Sequence, residues 1–276
     1  MNYKKLADIA IKAARAAGKI IQENMNKDVL VEEKKGGLSR ASQVVTAVDR
    51  ACETAILAHL MPTCEQYYIA LLSEETEDDQ SRFNEDFFWC IDPMDGTLAF
   101  INKRPGFSVS IALIAKDGTP YIGVVFNPDT DTLYHAIKGK GAYKNNKPWT
   151  IKNTNDHITY VTDRTLADTP RNTEIKNLLN EKAVELDLKG IKEIAGAGSV
   201  MNGILVLENG PACMLKFPKK ENGGGSIWDF AATACIFQEL GLQATNFEGG
   251  RLDLNSKEGT YMNLEGVFYG NFIINK

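Results

Sequence analysis

Two carboxylates close together end an apolar run in Phe88-Trp89-Cys90-Ile91-Asp92-Pro93-Met94-Asp95-Gly96-Thr97. A buried strand that exits through this string presents Asp92 and Asp95 on one side of a tight turn. Pro93 stiffens the exit, and the Met94 carbonyl lies between the two acids. Gly96 permits close approach of the backbone, and Thr97 opens a short helix whose amides and dipole face an anion. Hard oxygen donors without nitrogen or sulfur suit Mg²⁺, which binds through a few carboxylates together with substrate phosphate. An ordinary Asp-Gly turn with a capping Thr accounts for the end of the string but requires neither Asp92 nor Pro93.

These residues need elements to position them. Leu6, Ile9, Ala10, Ala13, Ala17 and Ile20 recur at helical spacing, which predicts an amphipathic helix over 4–24. A second helix is expected from Val48 to Leu60, closed by Pro62. The runs 107–115, 121–126 and 132–137 are β-branched and aromatic, with Asp117-Gly118 and Asn127-Pro128 between them. That pattern predicts an antiparallel meander. Gly139, Gly141 and the polar stretch Lys144–Pro148 mark a boundary, dividing the chain into halves at 1–150 and 151–276. Beyond it, strands at 158–162, 191–195 and 212–216 alternate with helices at 173–186, 199–207 and 227–240, the last ended by Gly241. The chain reads as α+β followed by α/β. The acidic run Glu74–Asp79 reads as a loop whose later members are solvated.

Composition narrows the function. The net charge of −5 argues against nucleic acid as the partner, because phosphate backbones recruit basic surfaces. No apolar run reaches the roughly 20 residues that span a bilayer, and the start lacks the features of a signal peptide. The five cysteines are odd in number and irregular in spacing, without C-x-x-C, as expected for reduced thiols in a cytoplasmic enzyme. Three histidines, none paired at ligand spacing, speak against zinc and supply a Ser-His-Asp hydrolase poorly.

The segment Trp89–Phe100 resembles the signature of the inositol monophosphatase superfamily, the lithium-sensitive, Mg²⁺-dependent phosphomonoesterases. Further segments resemble it in family order: 44–52 with Asp49, 71–75 with Glu74, 196–200 with Ser199, and 227–241 with Asp229. The resemblance implies a layered α-β-α-β-α sandwich, an antiparallel sheet with a helix pair followed by a smaller α/β half. It implies Glu74, Asp92, Asp95, Asp229 and the Met94 carbonyl as ligands for two or three Mg²⁺ ions. These ions lower the pKa of water and stabilise charge on the phosphoryl oxygens. Thr97, hydrogen-bonded to Asp49, would orient the attacking water and relay its proton. Glu74 is counted with them among the catalytic residues, and Gly96, Thr97 and Ser199 would meet the phosphate. Family members are often dimers, so a homodimer is expected.

The substrate reading rests on fewer residues. Phe217-Pro218-Lys219 resembles the hydrophobic-Pro-basic segment with which 3′(2′),5′-bisphosphate nucleotidases hold a second phosphate, and Lys220 adds a charge. This favours a nucleotidase acting on adenosine 3′,5′-bisphosphate. Against it, Asn202 stands where some nucleotidases carry lysine, and Lys219 replaces a more usual arginine, losing the bidentate fork. An inositol monophosphatase acting on inositol 1-phosphate is the alternative, with Glu221 near, though out of register with, the family's hydroxyl-binding glutamate. A catalytically idle regulator of the same shape would be expected to lack a metal carboxylate or the threonine. All are present.

Overall fold

The structure is a computed structural model that describes residues 1–28, 31–33, 44–162 and 169–272. Helix α1 (Tyr3–Asn24) is followed by the short strand pair β1 (Val31–Glu33) and β2 (Val44–Thr46), and then by α2 (Ala47–Tyr67). A seven-stranded sheet comes next, its strands laid down in chain order. It comprises β3 (Ile69–Ser73), β4 (Phe87–Asp95), β5 (Ser108–Ala115), β6 (Pro120–Asn127), β7 (Thr132–Ile137), β8 (Gly141–Lys144) and β9 (Lys147–Pro148). Only β3 and β4 run parallel, and the remaining neighbours pair antiparallel. The short helix α3 (Thr97–Ile101) follows β4 directly.

The second sheet is mixed. Strands β10 (Ile158–Thr162), β11 (Ile191–Ala195) and β12 (Ala212–Lys216) are parallel, whereas β13 (Gln243–Thr245) and β14 (Val267–Gly270) close it antiparallel in the order β11-β10-β12-β14-β13. Helices α4 (Pro170–Glu185), α5 (Ser199–Glu208) and α6 (Ile227–Glu239) connect its strands.

Apolar burial sorts these elements into layers. One core joins α1 and α2 to the outer face of the first sheet through Leu6, Ala10, Ala17, Ile56, Trp89 and Val124. A second holds α5 and α6 between the two sheets, with Phe88, Val125, Ile204, Phe230, Phe237 and Tyr269 at its centre. A third packs Ile175 and Leu179 of α4 on Tyr160 and Leu215. The result is the layered α-β-α-β-α sandwich. Among the described residues no helix is long and apolar enough to cross a membrane.

Two expectations are corrected. Helix α2 does not stop before Pro62 but continues to Tyr67. Trp89 donates its indole N–H to the buried Thr63 hydroxyl at 2.9 Å, and that hydroxyl donates to the Leu60 carbonyl at 2.6 Å, so tertiary contacts override the proline. The stretch 139–148 still belongs to the first sheet. Asn145 and Asn146, with φ of 50° and 61°, turn the β8–β9 hairpin, and the sheet extends to Pro148. The later acids of 74–79 are not wholly solvated, because Asp78 meets the buried Arg82 at 2.9 Å.

The central strand β6 is compressed from both faces. A Cβ on Gly123 would overlap the Ala232 carbonyl of α6, and one on Gly18 of α1 would overlap the Phe126 ring. Gly123→Ala must therefore shift α6 off the sheet, at a cost of about 1–3 kcal/mol. Urea unfolding of the metal-free protein should show a lower midpoint with an unchanged slope.

Candidate active site

Three carboxylates from distant parts of the chain converge. Asp92 and Asp95 lie at the end of β4 and Asp229 in the first turn of α6, with ligand oxygens all within 4.8 Å of one another. The β4–β5 register shifts between Asp92 and Asp95, an irregularity that re-aims the strand end. Asp92 holds its own turn, accepting the Met94 N–H at 3.0 Å. Its cross-strand partner Ser110 donates to the Trp228 carbonyl at 3.1 Å, which fixes the start of α6 against the sheet.

Carboxylates here also cap helices. Asp95 accepts the N–H of Ser199 at 3.1 Å on one oxygen and that of Val200 at 3.0 Å on the other, so it caps α5 from across the molecule. Gly198 leaves room for this, since a Cβ there would overlap the Asp95 carboxylate. Asp229 closes the capping box of α6, accepting from the Ser226 N–H at 2.5 Å. Asp49 closes that of α2 through Oδ2, which accepts the Thr46 N–H at 2.7 Å and the Thr46 hydroxyl at 2.6 Å. Its other oxygen accepts the Thr97 hydroxyl at 2.9 Å. The capping role and the site role of these acids coexist, one oxygen or lone pair for each.

Glu74 follows β3 and is anchored by its N–H to the Ile91 carbonyl at 3.1 Å, beside Asp92. Its negative charge acts on Asp49, Asp92, Asp95 and Asp229. Gly96, at φ 85°, sets the turn into α3, where the Thr97 hydroxyl lies 3.1 Å from the Met94 carbonyl as well as near Asp49. Helix α3 has only five residues, shorter than the macrodipole expectation assumed. Ser199 begins α5 against Asp95. Lys219 and Lys220 are exposed in the loop after β12, their carbonyls accepting from Asn263, with the Lys219 amine over Gly223.

Sequence reasoning missed two residues, Lys216 and Glu53, and gave Asn202 only as a departure from the nucleotidase pattern. Lys216, at the end of β12, donates to the Ser199 hydroxyl at 3.1 Å, and its charge bears on both Asp95 and Asp229. Glu53 stands one helical turn after Asp49 and accepts the hydroxyls of Ser73 at 2.6 Å and Thr76 at 2.9 Å, which bracket Glu74. The Asp49-x₃-Glu53 spacing on a helix was the available signal. Asn202 closes the loop before α5, its amide bonding both the N–H and the carbonyl of Ala197.

Burial dominates the electrostatics. Desolvation, then Glu74, Asp95 and Asp229, hold the Asp92 carboxyl well above the usual range, and desolvation with Asp229 does the same to Asp95. Asp229 is pushed up to about 6, again first by desolvation, with Lys216 and the Ser226 amide opposing. Burial also raises Asp49 against the hydrogen bonds from Thr46 and Thr97. Such a crowd of acids calls for cations. The donor set is all oxygen, as Mg²⁺ prefers.

Relatives agree with this geometry. Residues 2–272 match the model of the inositol monophosphatase family. The chain is 31% identical to inositol monophosphatase 3 of Solanum lycopersicum over 260 residues, covering 93% of the chain and 91% of that protein.

The chain belongs to the inositol monophosphatase family.

It is also 28% identical to the inositol-1-monophosphatase of Bacillus subtilis over 276 residues, covering 100% of the chain and 95% of that protein. Among solved structures it superposes on CysQ from Bacteroides thetaiotaomicron, described as a bacterial member of the family. The TM-score is 0.75 at 24% identity, with 99% of each chain covered, a likeness of fold. A member of this family with its acids clustered is a metal-dependent phosphoric monoester hydrolase.

The raised carboxyls set a pH dependence. Asp229 moves from an ordinary 3.8 to about 6 on folding, so the metal-free folded chain binds the extra proton between those values. Its stability therefore falls as pH rises through about 6, while a divalent cation must displace that proton to bind. Calorimetry in a chelator should show Tm falling from about pH 5 to about pH 8. The rise in Tm on adding Mg²⁺ should be larger at the upper pH.

Proposed function

We propose that the chain hydrolyses a small polyol phosphate monoester, with inositol 1-phosphate as the reference substrate and Mg²⁺ as cofactor. The observation that carries this is the convergence of Asp92, Asp95 and Asp229 in a chain matched nearly end to end by inositol monophosphatases. Glu74, Asp92, Asp95, Asp229 and the Met94 carbonyl would hold two or three ions. Mg²⁺ bound there supplies Lewis-acid stabilisation of the phosphoryl oxygens and a nucleophilic water at neutral pH.

The chain's own groups do the rest. Of the two acceptors near the Thr97 hydroxyl, the Asp49 carboxylate makes the stronger, charge-assisted bond. With its proton directed to Asp49, the Thr97 oxygen turns its lone pairs outward and accepts a hydrogen from the attacking water. That contact aims the water for in-line displacement. The proton then passes through Thr97 to Asp49, whose carboxyl burial has already raised. The backbone amides of Gly96 and Thr97, with Ser199, would receive the phosphate end of the substrate. Glu53 keeps Glu74 in place through Ser73 and Thr76.

The 3′(2′),5′-bisphosphate nucleotidase reading is the less supported of the two. It rests on Lys219 and Lys220, which are exposed, whereas among the described residues Lys216 is the lysine that reaches Ser199, next to Asp95. The deciding experiment is kcat/KM for inositol 1-phosphate and for adenosine 3′,5′-bisphosphate, each with and without Mg²⁺. Mg²⁺-dependent preference for the inositol ester is expected, and preference for the bisphosphate would reverse the assignment.

Thr97→Ala should lower kcat by about 10²–10³-fold with KM within about threefold, because water orientation matters in the transition state. A change in KM alone would make Thr97 a binding residue.

A further inference from the structure

Behind the two carboxylates of β4, strand β5 carries two hydroxyls. Ser110 lies directly across from Asp92, and Ser108 directly across from Asp95. Alternation along β5 puts both on the face that meets α5 and α6, with Ala112 and Ile114, while Val109 and Ile111 face α1 and α2. The two hydroxyls differ in what they do. That of Ser110 donates to the Trp228 carbonyl and holds the start of α6. Ser108 is fully buried, and its Oγ has no hydrogen-bond partner among the described residues.

A buried hydroxyl without a partner is destabilising, and an alanine would fit the strand without that penalty. Slack in the chain does not explain it. Two residues earlier the Gly106 carbonyl accepts the Gly198 N–H at 2.8 Å, and a Cβ on Gly106 would lie 2.9 Å from the Ala197 Cα. Ser108 is thus held between Asp95 and the entry to α5.

The missing partner lies across the strand pair. An ionised carboxylate has about four acceptor positions. Asp95 gives one on each oxygen to the amides of Ser199 and Val200. A divalent cation held with Asp92 and Asp229 would take a third. The fourth stays empty, inside the protein, unless a donor stands beside it. Directly opposed residues of an antiparallel pair have Cβ atoms roughly 4.5–5.5 Å apart, so rotation about χ1 brings a serine hydroxyl within reach of the facing carboxylate.

We propose that Ser108 is a positioning residue for the metal centre, its hydroxyl donating to the Asp95 carboxylate when that carboxylate holds a divalent cation. This rests on the metal-dependent reading of the site and is independent of which phosphate ester is cleaved. The two hydroxyls of β5 then have separate roles, Ser110 in the fold and Ser108 in the loaded site.

The test pairs metal-free stability with Mg²⁺ affinity. Ser108→Ala removes the hydroxyl, and Ser108→Cys fills the same space with a poor donor. Thermal melts in a chelator should place Ser108→Ala at or above the parent Tm, because the metal-free chain loses no bond, whereas Ser110→Ala should melt lower. Calorimetric titration with Mg²⁺ alone should show affinity about 5- to 30-fold weaker in both Ser108 variants. The Mg²⁺ concentration that half-saturates turnover should rise by the same factor.

Mg²⁺ affinity within twofold of the parent in Ser108→Ala would overturn the proposal. So would recovery of affinity by Ser108→Cys, which would make packing the cause. A metal-free Tm that falls in Ser108→Ala as it does in Ser110→Ala would also overturn it, placing the hydroxyl in the fold. A parent chain that binds no Mg²⁺ would overturn the metal reading itself, a result distinct from a parent and a variant that bind equally.

Discussion

The site depends on carboxylates capped to helix N-termini. Asp49 belongs to α2, Asp229 to α6, and Asp95, from β4, accepts the first amides of α5. Each buried negative charge therefore meets backbone N–H groups and the positive end of a helix, which offsets part of the desolvation it suffers. Those same bonds fix where the remaining lone pairs point. The acids are held close together by these bonds, a preorganised oxygen donor set for a hard cation.

The layers follow from this requirement. Asp92 and Asp95 come from the first sheet, while α5 and α6 form the layer between the sheets and share its core. Neither sheet alone could assemble the triad, because Asp229 reaches it only when α6 lies against β5 and β6. Close packing enforces that placement. Gly123 admits the α6 backbone, Ser110 ties the start of α6 to β5, and Gly198 admits Asp95 to the start of α5. Loss of any of these small residues would disturb the chemistry through geometry, without touching a reacting group.

Substrate choice belongs to a different part of the molecule. The acids and Thr97 describe a phosphatase of this family in general, whereas the two substrate readings part at the loop after β12, where Lys219 and Lys220 lie. The second-phosphate reading of Phe217-Pro218-Lys219 rests on exposed lysines, whereas the half-buried Lys216 lies three residues before Lys219. Charge in a sequence carries no record of burial, and burial decides how strongly a lysine acts.

The sequence alone disclosed the local grammar. The meander was legible from its period of two and its turns, and the capping boxes Thr46-x-x-Asp49 and Ser226-x-x-Asp229 are local in spacing, although the structure was needed to recognise them. Asp92, Asp95 and Thr97 stood out because a turn has no need of them together. What the sequence could not disclose were contacts between residues far apart in the chain. The amides of α5 reach Asp95 across 104 positions, Ser110 reaches Trp228 across 118, and Trp89 extends α2 past Pro62 through Thr63. The polar stretch Lys144–Pro148 gave no sign of pairing in the sequence, and only the paired β8 and β9 show Asn145-Asn146 to be a hairpin turn. Periodicity and capping are encoded within a few residues, so they survive in the linear chain. Which helix end meets which carboxylate is fixed by packing between layers, and only the folded molecule brings Lys216 to Ser199.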